Sequence, residues 1–393
     1  MIKRFQLIII ISALILPFNS SRACTEVLVI AKDSSEVNVR SMEFGVELNS
    51  DLNIQPTCTE ILVIAKDSSV VTVRSMEFGV ELNSDLNIQP RGESFTSITP
   101  DSTPGMQWTN KYGYVFMSAM GYSVAIDGLN EAGLSFGGLY LPGYTVYQDV
   151  PKGEESKALW NLDFGLWVLG NFSTVEEVRT AVQSVYVCFL ESFPIPSPLH
   201  FNVTDATGKS IIIEYTAKGL NIYDNTVGVL TNSPPYDWQT TNITNYLNLT
   251  PDNPEPTSFN GKTFIPVGQG AGFAGIPGDW TPPSRFIKST LMSHNAIPPT
   301  DITEAINLAL HFINAVDIPL GVSRMITDGK KDYDYTQWVT IRDLTNRRYM
   351  FRTYDNLQVR SVDLNKLDLK DGAKKHVIKI TGGDGIVDIT PNQ

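Results

Sequence analysis

Histidine and cysteine are scarce in this chain. Four histidines (His200, His294, His311, His376) and three cysteines (Cys24, Cys58, Cys188) are spread over 393 residues. No H-E-x-x-H or comparable spacing occurs, which excludes the common histidine-based metal sites. Any hydrolase built here works without a histidine base. An odd number of cysteines forms no disulfide framework. Basic residues are outnumbered, 30 Lys and Arg against 42 Asp and Glu for a formal charge of −12, so no basic stripe neutralises phosphates and nucleic acid is excluded as a partner. After the first 23 residues no apolar run reaches about 18 residues, so no stable membrane span is expected. Gly270-Ala271-Gly272-Phe273-Ala274-Gly275 matches a dinucleotide fingerprint as a string. Pro277 and Gly278 follow where a helix should open, and no acidic residue closes a βαβ unit, so the segment reads as a pocket-forming loop. No cofactor is expected.

What is present is a globular composition, 42% hydrophobic and 18% charged, enough for one large domain of about 300 residues. Met1 to Ala23 has a basic start (Lys3, Arg4), an apolar run from Phe5 to Phe18 and the small residues Ser21 and Ala23 before Cys24. This pattern predicts a secretory signal and a periplasmic or secreted product. Directly behind it a 33-residue stretch occurs twice, Cys24 to Pro56 and Cys58 to Pro90, with differences at three positions. The division implied is a leader 1–23, a first copy 24–57 that could be a propeptide, a body 58–375 and a tail 376–393.

Each copy reads as a hairpin: a strand from the cysteine, a Lys-Asp-Ser-Ser turn, and a second strand. A turn centred between Asp33 and Ser34 sets Cys24 opposite about Glu43 with Arg40 nearby, and in the second copy brings Cys58, Arg74 and Glu77 to one end. Further strands are expected at Gly113–Met117, Ser210–Tyr215, Val227–Thr231, Trp338–Arg342 and Arg348–Thr353. Helices are expected after a Ser173-x-x-Glu176 capping box, after Asp301, and from the Pro282-Pro283 pair. The segment from Pro251 to Pro266 reads as a long excursion. Strands at both ends with helices between them favour a layered α+β body over a doubly wound sheet. Cys188, inside Val185-Tyr186-Val187-Cys188-Phe189-Leu190, reads as a buried, inert thiol.

A cysteine at a new N-terminus carries a nucleophile and a base on one residue. Its α-amine has a pKa near 8, so a useful fraction is unprotonated at neutral pH and can take the thiol proton. Cys24 would become such a residue through export alone; Cys58 needs a cut at Thr57–Cys58.

Five ordered blocks then resemble the choloylglycine hydrolase family, which holds penicillin V acylases and conjugated bile salt hydrolases. They are Cys…Arg-Ser-Met-Glu-Phe, Asp127-Gly128-Leu129-Asn130-Glu131-Ala132-Gly133-Leu134, Leu139-Tyr140-Leu141-Pro142-Gly143-Tyr144, Leu230-Thr231-Asn232-Ser233-Pro234, and Gly275-Ile276-Pro277-Gly278-Asp279-Trp280-Thr281-Pro282-Pro283-Ser284-Arg285-Phe286. The resemblance implies a four-layer αββα N-terminal-nucleophile sandwich with two mainly antiparallel sheets, and hydrolysis of a linear carboxamide. It implies Cys58 or Cys24 as nucleophile, Arg74 (or Arg40) beside the thiol, and Glu77 (or Glu43) at a position where the family usually carries Asp. The extra methylene moves that carboxylate by roughly 1.5 Å, beyond the tolerance of a preorganised site. It further implies Asn232 and the Tyr140 N–H as oxyanion donors, and Arg285 as a brace. Tyr140 matches the penicillin V acylases, where many bile salt hydrolases carry Asn. The implied partner is a small amide: an aromatic or fatty acyl amide, a β-lactam, a bile salt conjugate or an acyl-homoserine lactone. The excursion after Asn232 resembles a segment that mediates homotetramers in the family.

The two copies cannot both occupy one place in a sheet. If Cys24 leads, 34 residues must be extruded as a loop, at a closure cost of roughly 3 kcal/mol. If Cys58 leads, the chain runs straight into the body but must first be cut. If neither is freed, the product is an inactive exported binding protein.

Overall fold

The computed structural model describes residues 57–387 apart from 192, 194–196, 328 and 329, together with residue 389; residues 327 and 330 and the strands Cys24–Ile30 and Glu36–Met42 are described by backbone alone. The chain divides into two units, 1–52 and 53–393. In the first, Cys24–Ile30 pairs antiparallel with Glu36–Met42, Cys24 opposite Met42. The leader Met1–Ala23 and Glu43 lie outside the described residues.

The second unit is built on two antiparallel sheets. In one, the strand order is Val229–Leu230, Cys58–Ile64, Val70–Phe78, Lys330–Asp343, Arg348–Thr353 and Arg360–Asp363, with Ser323–Thr327 paired to the first half of the long strand. In the other it is Gly219–Asp224, Ser210–Thr216, Leu199–Thr204, Ser135–Tyr140, Tyr122–Asn130, Tyr114–Ala119, Asp85–Gln89 and His376–Lys379. Helix α1 (Phe164–Asn171) packs on the outer face of the second sheet, and α2 (Val175–Ala181) follows it. After α3 (Tyr236–Asn242), α4 (Pro282–Asn295) and α5 (Ile302–Asn314) cover the first sheet. The layers are therefore helix, sheet, sheet, helix, as the α+β sandwich required.

Coverage on both faces explains the strand sequences. Every residue of Val70–Phe78 is buried, and such strands read as nearly continuous apolar runs instead of alternating ones. The expected elements are present with shifted ends. The strand at Trp338–Arg342 begins eight residues earlier, at Lys330, where charged residues of the edge pairing hide its pattern. The strand at Val227–Thr231 shrinks to Val229–Leu230 because the preceding turn holds Gly228 at φ +68°. The capping box is one residue later than expected: Thr174 accepts from Glu177 N, and Glu177 reaches back to the Thr174 N–H. Val175 and Val178 are the buried residues of α2, and their packing sets its start. Asp301 caps α5 as expected, accepting from Thr303 and Glu304, and the Pro282-Pro283 pair opens α4.

The sheet runs past the boundary drawn at 375, since His376–Lys379 pairs with Asp85–Gln89. The excursion holds an exposed hairpin, Thr257–Phe259 with Lys262–Phe264. Gly270–Gly275 forms a short turn against it, Ala271 N bonding Asn253 Oδ1 at 3.0 Å. Cys188 is fully buried beside the Leu159 carbonyl, and burial pushes its thiol up to about 11. No helix among the described residues is long and apolar enough to cross a membrane.

Candidate active site

The register of the Cys58 hairpin decides what faces the thiol. Cys58 lies opposite Met76 and Glu60 opposite Arg74. This is one residue away from the expected pairing of cysteine with glutamate. The turn closes around Asp67, with Ser68 at φ +70° and Asp67 Oδ1 accepting Ser69 N at 2.9 Å. Because side chains alternate along a strand, a slip of one residue moves each to the opposite face. Cys58, Glu60, Arg74 and Met76 therefore project between the sheets, while Thr59, Ser75 and Glu77 project towards the helices.

Thiol and guanidinium do converge. Cys58 Sγ is 3.9 Å from Arg74 Nη2 and 3.6 Å from Met76 Sδ. Arg74 is fully buried and spans the gap between sheets, donating to the Ile126 and Gly138 carbonyls and pairing with Asp127 at 3.3 Å. Burial pushes the Cys58 thiol above its ordinary range, and the Arg74 charge pulls it back.

Glu77 does not join them, and the expected cluster of thiol, guanidinium and carboxylate is corrected on this point. Its side chain accepts from Thr336 Oγ1 at 2.8 Å, and its backbone N–H donates to the Thr57 carbonyl at 2.9 Å. Burial raises its carboxyl to about 7 against the opposing pull of Arg285. Nor is Glu77 the partner of Arg74, a place taken by Asp127.

Asn232, Tyr140 and Arg285 assemble at the backbone end of Cys58. Asn232 Oδ1 accepts from Cys58 N at 2.6 Å and from Arg285 Nη2 at 2.9 Å, and Asn232 Nδ2 donates to the Tyr140 carbonyl at 2.9 Å. Arg285, buried on α4, also donates to the Cys58 carbonyl and to Thr59 Oγ1 at 2.6 Å. Of the sequence-predicted residues, Cys58, Arg74, Asn232, Tyr140 and Arg285 are brought together and Glu77 stands behind the sheet. Cys24 and Arg40 are described by backbone alone.

Two cavities flank this centre. An apolar one of about 60 Å³ is lined by residues including Met76, Phe78, Ile126, Gly138 and Tyr140. The Tyr140 ring meets Phe78 edge-on with centroids 5.7 Å apart. A more polar one of about 370 Å³ is bordered by Thr57, Gly79, Trp280, Arg324, Asp332 and Asp334.

Sequence reasoning missed what holds Arg74. Arg342 binds Glu60 at 2.7 Å and Asp127 at 3.1 Å, and Tyr349 OH donates to Asp127 at 2.6 Å. Two arginines and two carboxylates thus balance in a dry gap, where an unpaired charge would cost several kcal/mol. Gly137 permits the close approach, because a β-carbon there would come within 2.1 Å of Glu60 Oε2. The signal was available: Glu60 and Arg342 are charges inside strands covered on both faces, and such charges must find each other.

Comparison with known proteins agrees with this architecture. The family model for linear amide C–N hydrolases of the choloylglycine hydrolase family matches residues 58–379. The chain is 36% identical to the bile salt hydrolase/transferase of Clostridium perfringens (strain 13 / Type A), over 66% of this chain and 79% of that one. A crystal structure of a conjugated bile acid hydrolase variant from Clostridium perfringens superposes with a TM-score of 0.74 at 31% identity, covering 85% of this chain and all of that one. Penicillin V acylase from Agrobacterium tumefaciens gives 0.66 at 27% identity, over 82% and 91%. The chain belongs to the choloylglycine hydrolase family of linear amide C–N hydrolases.

Proposed function

We propose that this amide hydrolase works through Cys58 as an N-terminal nucleophile, freed by loss of residues 1–57. The observation that carries the reading is the environment of Cys58: its nitrogen on Asn232 Oδ1, its sulfur beside Arg74, and an apolar cavity next to it. The start of the family match at residue 58 supports it. So do the differences between the copies. Where the second copy has Ile61, Val70 and Thr72, all fully buried, the first has Val27, Glu36 and Asn38. Seating the first copy in this slot would put a carboxylate in place of Val70. It would also put an amide at Thr72, where even the hydroxyl has no hydrogen-bond partner among the described residues.

The proposed maturation is attack of Cys58 Sγ on the Thr57 carbonyl carbon, whose oxygen already accepts the Glu77 N–H. The thiol proton passes to the Cys58 nitrogen as the Thr57–Cys58 C–N bond breaks and a thioester forms, and water then releases Thr57 as a carboxylate and restores the thiol. Losing Thr57 opens the larger cavity towards the thiol and makes room for a leaving amine. In turnover the α-amine takes the thiol proton as sulfur attacks the substrate carbonyl. The oxyanion is held by the second hydrogen of Asn232 Nδ2 and the Tyr140 N–H. The α-ammonium protonates the departing amine, and water hydrolyses the thioester.

For substrate, the narrow apolar cavity and the Tyr140 ring favour an amide with a slim aromatic or aliphatic acyl group, as in penicillin V. Pockets for drug-sized ligands span about 300–1,000 Å³, so a steroid would need side chains to move. The higher identity to a bile salt hydrolase favours bile salt conjugates as the second reading. The leader pattern supports export to the periplasm or medium. The exposed Phe259, Phe264 and Ile265 of the excursion support a homotetramer, which sedimentation would test. Intact mass of the exported protein tests the central claim, together with hydrolysis of penicillin V, glycodeoxycholate and a long-chain acyl-homoserine lactone. A mature chain beginning at Cys58 and active on one of these is expected. An active chain with Thr57–Cys58 intact refutes the mechanism, and an uncut, inactive chain supports a binding protein.

A further inference from the structure

Behind Asn232 lies a buried histidine that the chemistry above does not use. His200, on strand Leu199–Thr204, and Glu214, on the neighbouring strand Ser210–Thr216, are both fully buried and meet at 3.0 Å, Nδ1 to Oε1. The other ring nitrogen, Nε2, lies 3.0 Å from the carbonyl oxygen of Thr231. Glu214 Oε1 also accepts the backbone N–H of Tyr236, the first residue of α3, at 2.9 Å. The pair therefore reaches from the eight-stranded sheet to both ends of the turn that carries Asn232.

Hydrogen counting defines its state. A carbonyl oxygen only accepts, so Nε2 carries a hydrogen. Nδ1 meets a carboxyl oxygen, and that contact is a bond only with one further hydrogen between them, on the ring or on the carboxyl. In both forms the pair is neutral as a whole, which suits a site without water.

We propose that His200 and Glu214 are positioning residues for the oxyanion donor. Nε2–H holds the Thr231 carbonyl, and through the Thr231–Asn232 peptide plane it sets where the Asn232 side chain starts. The side chain is then aimed from its far end by Cys58 N, Arg285 and the Tyr140 carbonyl. A donor displaced by about half an ångström loses its alignment with the oxyanion. The inference rests on the role proposed for Asn232.

Glutamine and asparagine separate the two halves of the imidazole. His200→Gln keeps an N–H near the Nε2 position and with it the Thr231 bond. His200→Asn keeps one near Nδ1 and retains only the Glu214 contact. Each loses one buried hydrogen bond, so a role in stability alone would affect both alike. With penicillin V or glycodeoxycholate, whichever the mature enzyme turns over, His200→Asn is expected to lower kcat about tenfold or more with KM within about threefold, and His200→Gln to stay within about threefold in kcat. Parental kcat in His200→Asn, or equal losses in both variants that follow their thermal midpoints, overturns the proposal. If His200→Asn does not yield folded protein, Glu214→Gln decides. Its amide can still donate to Nδ1 and hold the ring that Glu214→Ala releases, so a kcat loss of about tenfold in Glu214→Ala that Glu214→Gln restores supports the proposal, and parental kcat in both variants or equal losses in both, with native circular dichroism, overturns it. Asn232→Ala is measured alongside. If it leaves kcat unchanged, the Asn232 role and this inference fall together. If it abolishes turnover while His200→Asn does not, only this inference falls.

Discussion

Replacing Val70 by glutamate tests why the second repeat, and not the first, holds the place in the sheet. Val70 is fully buried between the sheets, and the first copy has Glu36 at the matching position. Val70→Glu forfeits the burial of a valine side chain, about 1.5–3 kcal/mol. The carboxylate must then be buried as a charge or protonated. Protonation at pH 7 of a group with an ordinary pKa near 4.3 costs about 3.7 kcal/mol, which caps the charge penalty. With the group protonated the expected loss at pH 7 is therefore about 5–7 kcal/mol, among the largest single-residue effects. The sign with pH follows from linkage. The folded pKa is raised, so the folded state holds the extra proton and stability falls as pH rises from near 4.3 through neutrality. Moving from pH 7 to pH 5 should return about 2.7 kcal/mol of the deficit. Urea unfolding at both pH values, followed by tryptophan fluorescence, to which the buried Trp338 contributes, reads this directly. The converse experiment makes the copies identical with V27I, E36V and N38T; an active-site thiol reagent that marks only Cys58 in the parent should then also mark Cys24. A Val70→Glu loss below about 1 kcal/mol with no pH dependence would refute the argument, and the first copy would be as good a tenant as the second.

Asn232→Ala should lower kcat about a hundredfold with little change in KM, read by steady-state kinetics on the best substrate. Glu77, raised to about 7 by burial, should make the parent lose stability as pH rises from about 4.5 to 7, by about 3 kcal/mol; in Glu77→Gln that slope should flatten, as urea unfolding against pH will show. Tyr140→Asn removes the ring that narrows the apolar cavity, and should shift the kcat/KM ratio of glycodeoxycholate to penicillin V upwards by about tenfold or more. Cys58→Ser should abolish hydrolysis, whereas Cys24→Ser should leave it unchanged; the opposite pattern would assign the nucleophile to the first copy.

Much of this protein could be read in one dimension. The layered α+β class followed from strands and helices in recognisable order, and Asp301 and the Pro282-Pro283 pair marked helix starts because caps are local chemistry. The blocks around Cys58, Arg74, Tyr140, Asn232 and Arg285 were legible because they follow one another in the order of the family they resemble. The side of the sheet on which Glu77 lies was not legible. It depends on a one-residue choice of turn, which the hydrophobic pattern cannot resolve in a strand buried on both faces. Partners were also hidden. Arg74 and Glu77 are three apart in sequence, but Arg74 pairs with Asp127 on the other sheet. His200 meets Glu214 only because two strands lie side by side.

The amino-acid sequence alone determined the duplication, the cysteine that leads each copy and the residue types available to the site, since these depend on residue identity and order. Only the tertiary structure decided which residues share a face and which carboxylate steadies the arginine. It also gave the three differences between the copies their meaning: a glutamate and a valine are merely unlike letters until one of them has to fit where no water reaches.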